Sequence, residues 1–324
     1  MKGRKSKDKI LVTGCAGFIG MHLSNNLLKS GYSVFGIDNI NGFYKKSLKL
    51  DRLKILKSDK NFTFEKIDIN DGLKLNDYFR TCQPDKVVNL AAQAGVRNSI
   101  IDPNSYVQSN VVGFMNVLEA CRHNNIKGLI YASSSSVYGG NSLVPFSENH
   151  NVDNPTSIYA ATKKSNELMA RCYNNLFGLR STGLRFFTVY GPWGRPDMAY
   201  YIFTKRISEN KNINLFNYGD MFRDFTFIDD IVFGIKSAIK NNYNYEIFNL
   251  GNNRPEKITK MIKIIQDELD MKAIVKLKPM QLGDVKKTYA DIKKAQSMLG
   301  YNPSKDLKSG LGEFIDWYSS YHRL

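Results

Sequence analysis

The sequence predicts an α/β fold in which helices cover both faces of a doubly wound parallel sheet, with a smaller C-terminal substrate lobe. Up to Val189, short apolar runs typical of strands alternate with longer helical patterns. The first apolar run breaks into a glycine-rich turn that continues as a helix. Beyond Val189 the order loosens into a Pro- and Gly-rich loop, and one more strand is predicted at Glu246–Leu250.

Length and composition fit one large globular chain. The 324 residues, of which 42% are hydrophobic, suffice for a sizeable core. No apolar run approaches the ~18 residues of a membrane helix, and no signal-peptide core precedes the first strand, so we expect a cytoplasmic protein that contacts no membrane. The four cysteines and four histidines show neither Cys-x-x-Cys pairs nor ligand spacing. We therefore expect no disulfide and no metal.

The formal net charge of +16 raises the question of nucleic-acid binding. Lysines are spread over nearly every predicted helix and alternate with acidic residues, and the densest cluster lies in the first nine residues, which we predict to be a disordered tail. This distribution indicates a solvated surface, and we expect no nucleic-acid partner. A positive field would still assist capture of a small anionic substrate.

The first strand, turn and helix form a candidate phosphate cradle. Ile10–Thr13 reads as a strand, and Gly14, Gly17 and Gly20 follow in a Gly-x-x-Gly-x-x-Gly pattern. Gly14 permits the turn, Gly17 lets backbone approach a pyrophosphate, and Gly20 lets the helix pack on the strand. This pattern predicts a Rossmann-type dinucleotide site.

The residue directly after the second predicted strand is a candidate for selecting between NAD and NADP. Ser33–Ile37 reads as a strand, and Asp38 follows it, where a carboxylate can accept both hydroxyls of an adenosine ribose. This placement favours NAD over NADP. A plain βαβ unit with a loop aspartate is the alternative.

Further strands are predicted around Phe62–Ile67, Lys86–Leu90, Gly128–Ala132 and Ser181–Phe187, with helices at about 71–81, 104–123 and 157–177. A ligand of such a sheet lies at the carboxyl ends of the strands. Five candidate residues fall at those ends: Gly14, Asp38, Asp68, Ala91 and Ser134. We expect residues 1–189, with about 231–254, to form the NAD-binding domain. Residues 190–324 are expected to form mainly the substrate-binding lobe, interleaved with that core.

A tyrosine and a lysine four residues apart provide candidate proton chemistry. Tyr159 and Lys163 share one face of the predicted helix at 157–177. A lysine cation beside a phenol favours the phenolate and lowers its pKa, which makes the hydroxyl a usable acid or base. The hydroxyl-rich run Ser133–Ser136 ends the strand that sheet order places opposite Tyr159, so Ser134 can bind a substrate oxygen.

Together these motifs resemble the extended short-chain dehydrogenase/reductase superfamily over nearly the whole chain. The resemblance implies that Tyr159 is the base and that Lys163 lowers its pKa and holds the nicotinamide ribose. It also implies that Ser134 hydrogen-bonds the reacting oxygen. Asp68 resembles the adenine-binding acid of the family, and an N-terminal cap of the helix that follows is an equally good interpretation.

The hydroxyl-rich loop discriminates among reactions of this superfamily. Sugar-nucleotide dehydratases carry an Asp-Glu pair before Val-Tyr-Gly, because elimination of water needs a further acid and base. The related UDP-glucuronate decarboxylases have a Glu at the second position. Here the two positions are Ser135 and Ser136, which leaves oxidation and re-reduction at one carbon, and hence epimerisation.

Three stretches resemble UDP-glucuronate 4-epimerases: Ala91–Arg97, Arg185–Ala199 and Arg223–Asp230. The resemblance implies that Arg223 binds the UDP diphosphate and that Ser135, Ser136 and Thr188 bind the sugar carboxylate. It also implies substrate contacts for Arg195 and Arg97, with ordinary loop ion pairing as the alternative. Some relatives have an Arg before the late Gly-Asp pair, whereas Gln281 precedes Leu282-Gly283-Asp284 here.

The implied activity is reversible interconversion of UDP-glucuronate and UDP-galacturonate through a 4-keto intermediate, with bound NAD, in polysaccharide biosynthesis. The helices at 104–123 and 157–177 carry apolar positions that could pair between subunits, and family analogy implies a homodimer. Three alternatives stay open: a 4-epimerase of UDP-glucose or UDP-N-acetylglucosamine, a decarboxylase or dehydratase, and a non-catalytic NAD-binding regulator. The intact Tyr159, Lys163 and Ser134 argue against the regulator. Cys15 inside the cradle is interpreted as a spacer rather than a reactive thiol.

Overall fold

Residues 8–323 are described by a computed structural model. The basic N-terminal run that was predicted to form a tail lies outside the described residues, except for residues 8 and 9. Over residues 8–323, the chain forms a seven-stranded sheet and two small sheets.

The large sheet confirms the predicted α/β fold. Every neighbouring pair of its strands is parallel, in the spatial order β10-β6-β5-β4-β1-β2-β3. This order reverses direction beside β1, which is where ligands bind in doubly wound folds. The strands are β1 (Lys9–Thr13), β2 (Ser33–Ile37), β3 (Phe62–Glu65), β4 (Lys86–Asn89), β5 (Gly128–Ser134), β6 (Ser181–Phe186) and β10 (Tyr245–Leu250).

The two small sheets lie after the end of β6. One has the order β11-β9-β7, and the other pairs β12 with β8. Their strands are β7 (Thr188–Tyr190), β8 (Ile213–Leu215), β9 (Phe222–Phe227), β11 (Pro255–Lys257) and β12 (Val275–Leu277). Because β7 begins two residues after Phe186, Thr188 stays close to the carboxyl end of the large sheet.

Helices connect these strands. They are α1 (Phe18–Lys29), α2 (Lys46–Lys57), α3 (Gly72–Cys82), α4 (Val96–Ile101), α5 (Pro103–Val107), α6 (Gly113–His123), α7 (Ile158–Phe177), α8 (Ala199–Ser208), α9 (Ile228–Asn241), α10 (Ile258–Leu269), α11 (Lys293–Leu299) and α12 (Leu307–His322).

The predicted helix at 104–123 contains an irregular turn. Between α5 and α6 the chain forms a π-helical turn over Gln108–Val112. Within this turn, the Asn110 side chain accepts a hydrogen bond from the Gln93 backbone N–H (2.9 Å) and donates to the Gln93 carbonyl (2.9 Å). The turn thus ties this helix to the loop that follows β4. Such turns are frequent at functional sites.

The core lies on both faces of the large sheet. Along β1, Ile10 and Val12 belong to one apolar cluster and Leu11 to another, because successive side chains of a strand point to opposite faces. The cluster of Ile10 continues into the C-terminal helices, where it includes Phe314. Burial on both faces explains why the central strands are nearly continuous apolar runs.

Candidate active site

A cavity of about 380 Å³ lies at the carboxyl ends of the central strands. It brings together most of the residues predicted from the sequence. Those that line it are Gly14, Gly17, Gly20, Asp38, Asp68, Ala91, Ser134, Ser135, Ser136, Tyr159, Lys163, Thr188 and Arg195. The two remaining predicted site residues, Arg97 and Arg223, do not line this cavity.

The glycine-rich turn leaves no room for side chains. A Cβ atom on Gly20 would lie 2.1 Å from the Gly14 carbonyl oxygen, and one on Gly14 would lie 2.8 Å from the Ala91 nitrogen. Gly14 also has a φ of +70°, which L side chains rarely adopt. Backbone N–H groups at the start of α1 are therefore accessible to an anion, as a dinucleotide pyrophosphate requires. The turn fits an NAD cofactor.

The ribose end of the cavity is formed by Asp38. Its carboxylate accepts hydrogen bonds from the backbone N–H groups of Ala16 (3.2 Å) and Ile40 (2.8 Å). The Lys49 Nζ lies 3.9 Å from Asp38 Oδ1 and donates to Asn41 Oδ1 at 2.7 Å. Burial lowers the pKa of Lys49, and the charge of Asp38 opposes this shift. Asp38 is thus fixed from two sides at the edge of the cavity.

Asp68 does not cap the following helix, so that interpretation is wrong. The N-cap of α3 is Asp71, whose side chain accepts from the backbone N–H of Lys74 (3.1 Å). Asp68 lines the cavity, accepts a hydrogen bond from the Asn39 side chain (2.8 Å) and accepts another from the Asn70 N–H (2.9 Å). This position agrees with a role at the adenine end.

The proton-handling group consists of Tyr159 and Ser134, with Lys163 beside them in the cavity wall. Tyr159 and Lys163 lie on consecutive turns of α7, and Ser134 ends β5. Burial raises the pKa of Tyr159, and two influences oppose this: a hydrogen bond with Ser134 and the positive charge of Arg195. A half-buried phenol beside a serine hydroxyl and a cation can exchange a proton with a substrate hydroxyl.

Lys163 is buried in the cavity wall beside Tyr159. Its ammonium group donates to the Ala132 carbonyl oxygen at 2.8 Å, and burial lowers its own pKa to about 8. This bond ties the ammonium to the end of β5. The charge of Arg195 acts on the phenol from another side of the cavity.

The hydroxyl-rich loop is a short 3-10 helix, Ser135–Tyr138, that begins directly after β5. Ser134 caps it: its Oγ accepts from the Ser136 backbone N–H and donates to the Ser136 Oγ, both at 3.1 Å. Thr188, the first residue of β7, lines the same part of the cavity. The loop thus presents several hydroxyl groups beside Tyr159.

A buried ion pair contacts residues at both ends of the hydroxyl-rich loop. The Arg185 guanidinium donates two hydrogen bonds of 2.8 Å to the carboxylate of Glu167, and both side chains are 3% exposed. Ser133 donates to the same carboxylate (2.7 Å), and Arg185 donates to the Tyr138 hydroxyl (2.9 Å). Both ends of the hydroxyl-rich loop are therefore tied to one ion pair.

Arg195 lies in the cavity wall and is held in place by two partners. It forms an ion pair with Asp197 (2.6 Å) and donates to the Ala94 carbonyl oxygen (3.1 Å). Arg195 thus forms the ion pair of the alternative interpretation and also lines the cavity, and its substrate contact stays a prediction. Its charge also acts on Tyr159.

Arg223 and Arg97 meet each other at Asp284. Arg223 contacts the Asp284 carboxylate at 2.6 Å, and Arg97 approaches its other oxygen at 3.7 Å. Arg97 is half-exposed and stacks on Phe216, whereas Arg223 is largely buried. For Arg97 the structure thus shows the ion-pair alternative.

Comparison with known proteins identifies the family. Residues 11–314 match the family described as GDP-mannose 4,6 dehydratase. The chain belongs to this family of extended short-chain dehydrogenase/reductases. It is 46% identical to UDP-glucuronate 4-epimerase 4 of Arabidopsis thaliana, over 97% of this chain and 76% of the relative.

Solved structures of this superfamily superpose closely on the chain. UDP-glucuronic acid 4-epimerase from Bacillus cereus, in complex with UDP-glucuronic acid and NAD, is 37% identical with a TM-score of 0.92, over 97% of this chain and 99% of that one. UDP-glucose 4-epimerase from Thermotoga maritima is 30% identical with a TM-score of 0.88, at the same coverage. The predicted resemblance to UDP-glucuronate 4-epimerases is confirmed.

The sequence analysis missed two buried cations of this extended short-chain dehydrogenase/reductase. Lys49 and Arg52 lie on α2, which was not predicted. The buried face of α2 consists of Leu48, Lys49, Arg52, Leu53 and Leu56. The leucines have helical spacing, and the two cations between them interrupt the apolar stripe from which a helix is predicted.

The Cys15 thiol is buried between the cradle and β2. Burial, assisted by the charge of Asp38, raises the pKa of Cys15 well above its ordinary value. A thiol in this state is not a nucleophile, which agrees with a spacer role. Within residues 8–323, no group of three or more His, Cys, Asp or Glu side chains could hold a metal ion.

Proposed function

We propose that this protein catalyses the NAD-dependent 4-epimerisation of UDP-glucuronate to UDP-galacturonate. One observation carries the proposal: the part of the cavity beside Tyr159 is lined by hydroxyl groups and Arg195. Among the described residues, the acidic side chains that line the cavity are Asp38 and Asp68, both at the nucleotide end. A sugar carboxylate beside Tyr159 would thus meet donors and no like charge.

Each group has a task in this reaction. Tyr159 takes the proton of the 4-hydroxyl and later returns one, and Ser134 donates a hydrogen bond to the reacting oxygen. A bound NAD would supply reversible hydride transfer at carbon 4. Asp38 and Asp68 would hold its adenosine half, the turn at Gly14–Gly20 its pyrophosphate, and Lys163 its nicotinamide ribose.

The carboxylate needs firm orientation because a 4-keto uronic acid is a β-keto acid, which loses carbon dioxide readily. Ser135, Ser136 and Thr188 are proposed to hold the carboxylate at an angle that disfavours this loss. Arg195, fixed by Asp197, adds a positive charge to the same wall. We assign the diphosphate to Arg223, with Arg97 beside it.

The purified protein is expected to retain NAD and to epimerise UDP-glucuronate without consuming cofactor, because the hydride returns to the sugar. The test is a panel of UDP-sugars with product resolution, together with NAD released on denaturation. Asp38→Ala should lower the NAD content. Stoichiometric NAD reduction would indicate a net dehydrogenase, and a preference for UDP-glucose or UDP-N-acetylglucosamine would replace the uronic-acid assignment. Preference for NADP would contradict the role of Asp38.

Thr188→Val keeps the side-chain shape but removes one hydrogen-bond donor to the carboxylate. A hydrogen bond to a charged group contributes about 1.5–3 kcal/mol, so turnover of UDP-glucuronate should drop roughly ten- to a hundredfold. Residual turnover of UDP-glucose, which has no carboxylate, should stay nearly constant, and UDP-pentose should rise as a side product. Parallel losses on both sugars would show that Thr188 supports the fold or the cofactor instead.

We also propose a homodimer that pairs α6 and α7 with the same helices of a second copy. Three apolar side chains on these helices are strongly exposed in the single chain: Leu168 (55%), Leu176 (72%) and Phe177 (46%). The adjacent Val112 and Met115 are also exposed. A two-fold pairing would bury them all against one another.

Light scattering coupled to size exclusion is expected to give twice the mass of one chain for the wild type. Leu168→Glu combined with Leu176→Glu should give a monomer, because the pairing would bury carboxylates without partners. Leu73→Glu, at a residue that is 83% exposed on α3, is the matched control and should stay dimeric. A double variant that remains a dimer would place the interface elsewhere.

The proposal assigns a binding function to each part of the chain. Residues 1–189, with about 231–254, bind NAD, and residues 190–324 mainly bind the UDP-sugar. We place the protein in the cytoplasm, supported by its four free thiols. None of the helices in residues 8–323 combines the length and the apolar character that a membrane span requires. Because its product is an activated sugar, we propose a role in polysaccharide biosynthesis.

A further inference from the structure

The loop that carries Arg195 is tied by its backbone to the cofactor half of the protein. Three consecutive carbonyl oxygens of this loop accept hydrogen bonds from side chains of α1 and α2. His22 Nε2 bonds the Pro192 oxygen at 2.9 Å. Arg52 donates to the oxygens of Trp193 (2.5 Å) and Gly194 (3.0 Å).

Arg52 also reaches the phosphate cradle. Its Nη1 donates to the Ala16 carbonyl oxygen (3.1 Å) and to the Tyr44 hydroxyl (2.6 Å), and the side chain is fully buried. One guanidinium therefore joins the turn between Gly14 and Gly17 to the residues directly before Arg195. A planar group with five N–H donors suits this task, since it can bond several carbonyls at fixed angles.

The loop needs such restraint because its backbone conformation is unfavourable without contacts that hold it. Trp193 has a φ of +60°, in the left-handed region that a bulky side chain rarely occupies. A conformation of this kind persists only when the surroundings hold it. Next to it, a Cβ on Gly194 would lie 2.1 Å from the Tyr200 hydroxyl, so the loop also cannot shift toward α8.

His22 is a neutral donor in this arrangement. Burial, with a smaller contribution from the charge of Arg52, lowers the pKa of His22 to about 4, although the bond to Pro192 opposes the shift. A carbonyl oxygen can only accept, so the proton of the neutral ring is on Nε2. The bond to the loop thus persists throughout the neutral pH range.

We propose that Arg52 and His22 are positioning residues that fix the backbone of residues 192–194 and thereby the place of Arg195 in the reaction cavity. This inference rests on the proposed function for its catalytic consequence. Loosening the loop would let Arg195 and the bound carboxylate move. The bond between carbon 5 and the carboxylate would then break more often before the 4-keto intermediate is reduced. Its electron pair would pass to the 4-keto oxygen as an enolate, carbon dioxide would leave, and the enolate would take up one proton at carbon 5 to give the UDP-4-keto-pentose.

The chain offers a direct probe of this loop. It contains two tryptophans, Trp193 and Trp317, and their rings pack against each other at 5.2 Å. Tryptophan fluorescence therefore reports on the loop and its contact with α12. In Arg52→Met, we expect a red-shifted emission and stronger quenching by acrylamide under conditions where circular dichroism shows the native fold. In Arg52→Lys, the emission maximum and the quenching should lie between those of Arg52→Met and those of the wild type.

The second measurement is the ratio of UDP-pentose products to UDP-galacturonate, made with UDP-glucuronate and saturating NAD. The ratio does not depend on the fraction of active enzyme, so a general loss of folded protein would not move it. It should rise in Arg52→Met and His22→Phe, and kcat should fall by up to about 10²-fold, the cost of displacing a positioning group by about 1 Å. Arg80→Met, which removes an exposed arginine of α3, is the matched control.

The outcomes separate the inference from the proposed function. A wild type without activity on UDP-glucuronate would overturn the function, and the fluorescence comparison would still decide the restraint on the loop. If Arg52→Met does not fold, the same measurements on Arg52→Lys and His22→Phe test the restraint on the loop. Wild-type quenching and a wild-type product ratio in both of these variants would overturn the inference.

Discussion

Replacing Tyr159 by Phe is expected to lower turnover of UDP-glucuronate by about 10²–10⁴-fold, the usual range for the loss of a general acid or base. The ring keeps its packing against Tyr106, with 6.0 Å between centroids, so the fold and the binding of substrate should change little. The serine hydroxyls of the loop, Ser134 among them, release a proton far less readily than a phenol does.

Two measurements check this expectation. Turnover is measured under saturating UDP-glucuronate, and substrate affinity is measured by calorimetry on the NAD-loaded protein. Tyr106→Phe is the matched control, because it removes a neighbouring phenol that donates to the Ala94 carbonyl. Activity of Tyr159→Phe within a few-fold of the wild type would show that another group moves the proton. An inactive wild type would revive the regulator hypothesis.

Glu167→Gln is expected to cause the largest loss of stability, about 3–5 kcal/mol in the free energy of unfolding, because it leaves the buried Arg185 cation without its counter-charge. The carboxylate accepts three hydrogen bonds, from Arg185 twice and from Ser133. Since these bonds support both ends of the hydroxyl-rich loop, epimerase activity should fall as well.

Chemical denaturation measures this loss. Glu256→Gln is the control, since its ion pair with Lys260 lies at the surface and should contribute about 0–1 kcal/mol. Glu167→Leu combined with Arg185→Met should recover much of the stability, because a buried pair can be replaced by apolar groups of similar volume. If the denaturation midpoint of Glu167→Gln equals that of the wild type, the ion pair does not hold the loop.

Local motifs explain why the nucleotide end of the site was predictable. The glycine turn and Asp38 follow their strands directly, and the carboxyl ends of parallel strands meet at one edge of a sheet. Their positions therefore depend only on the order of the strands. The same reasoning placed Ser134 beside Tyr159, and the pKa influence of one on the other bears this out.

The sequence by itself thus determined the fold class, the family, the cradle for NAD and most of the predicted residues of the cavity, because each depends on periodicity or on short spacing. Only the tertiary structure decided that the charge of Arg195 acts on Tyr159. It also revealed that Arg52 joins the cradle to residues more than a hundred positions away. The electrostatic influence of a charge depends on distance and burial in three dimensions, and spacing along the chain does not specify either.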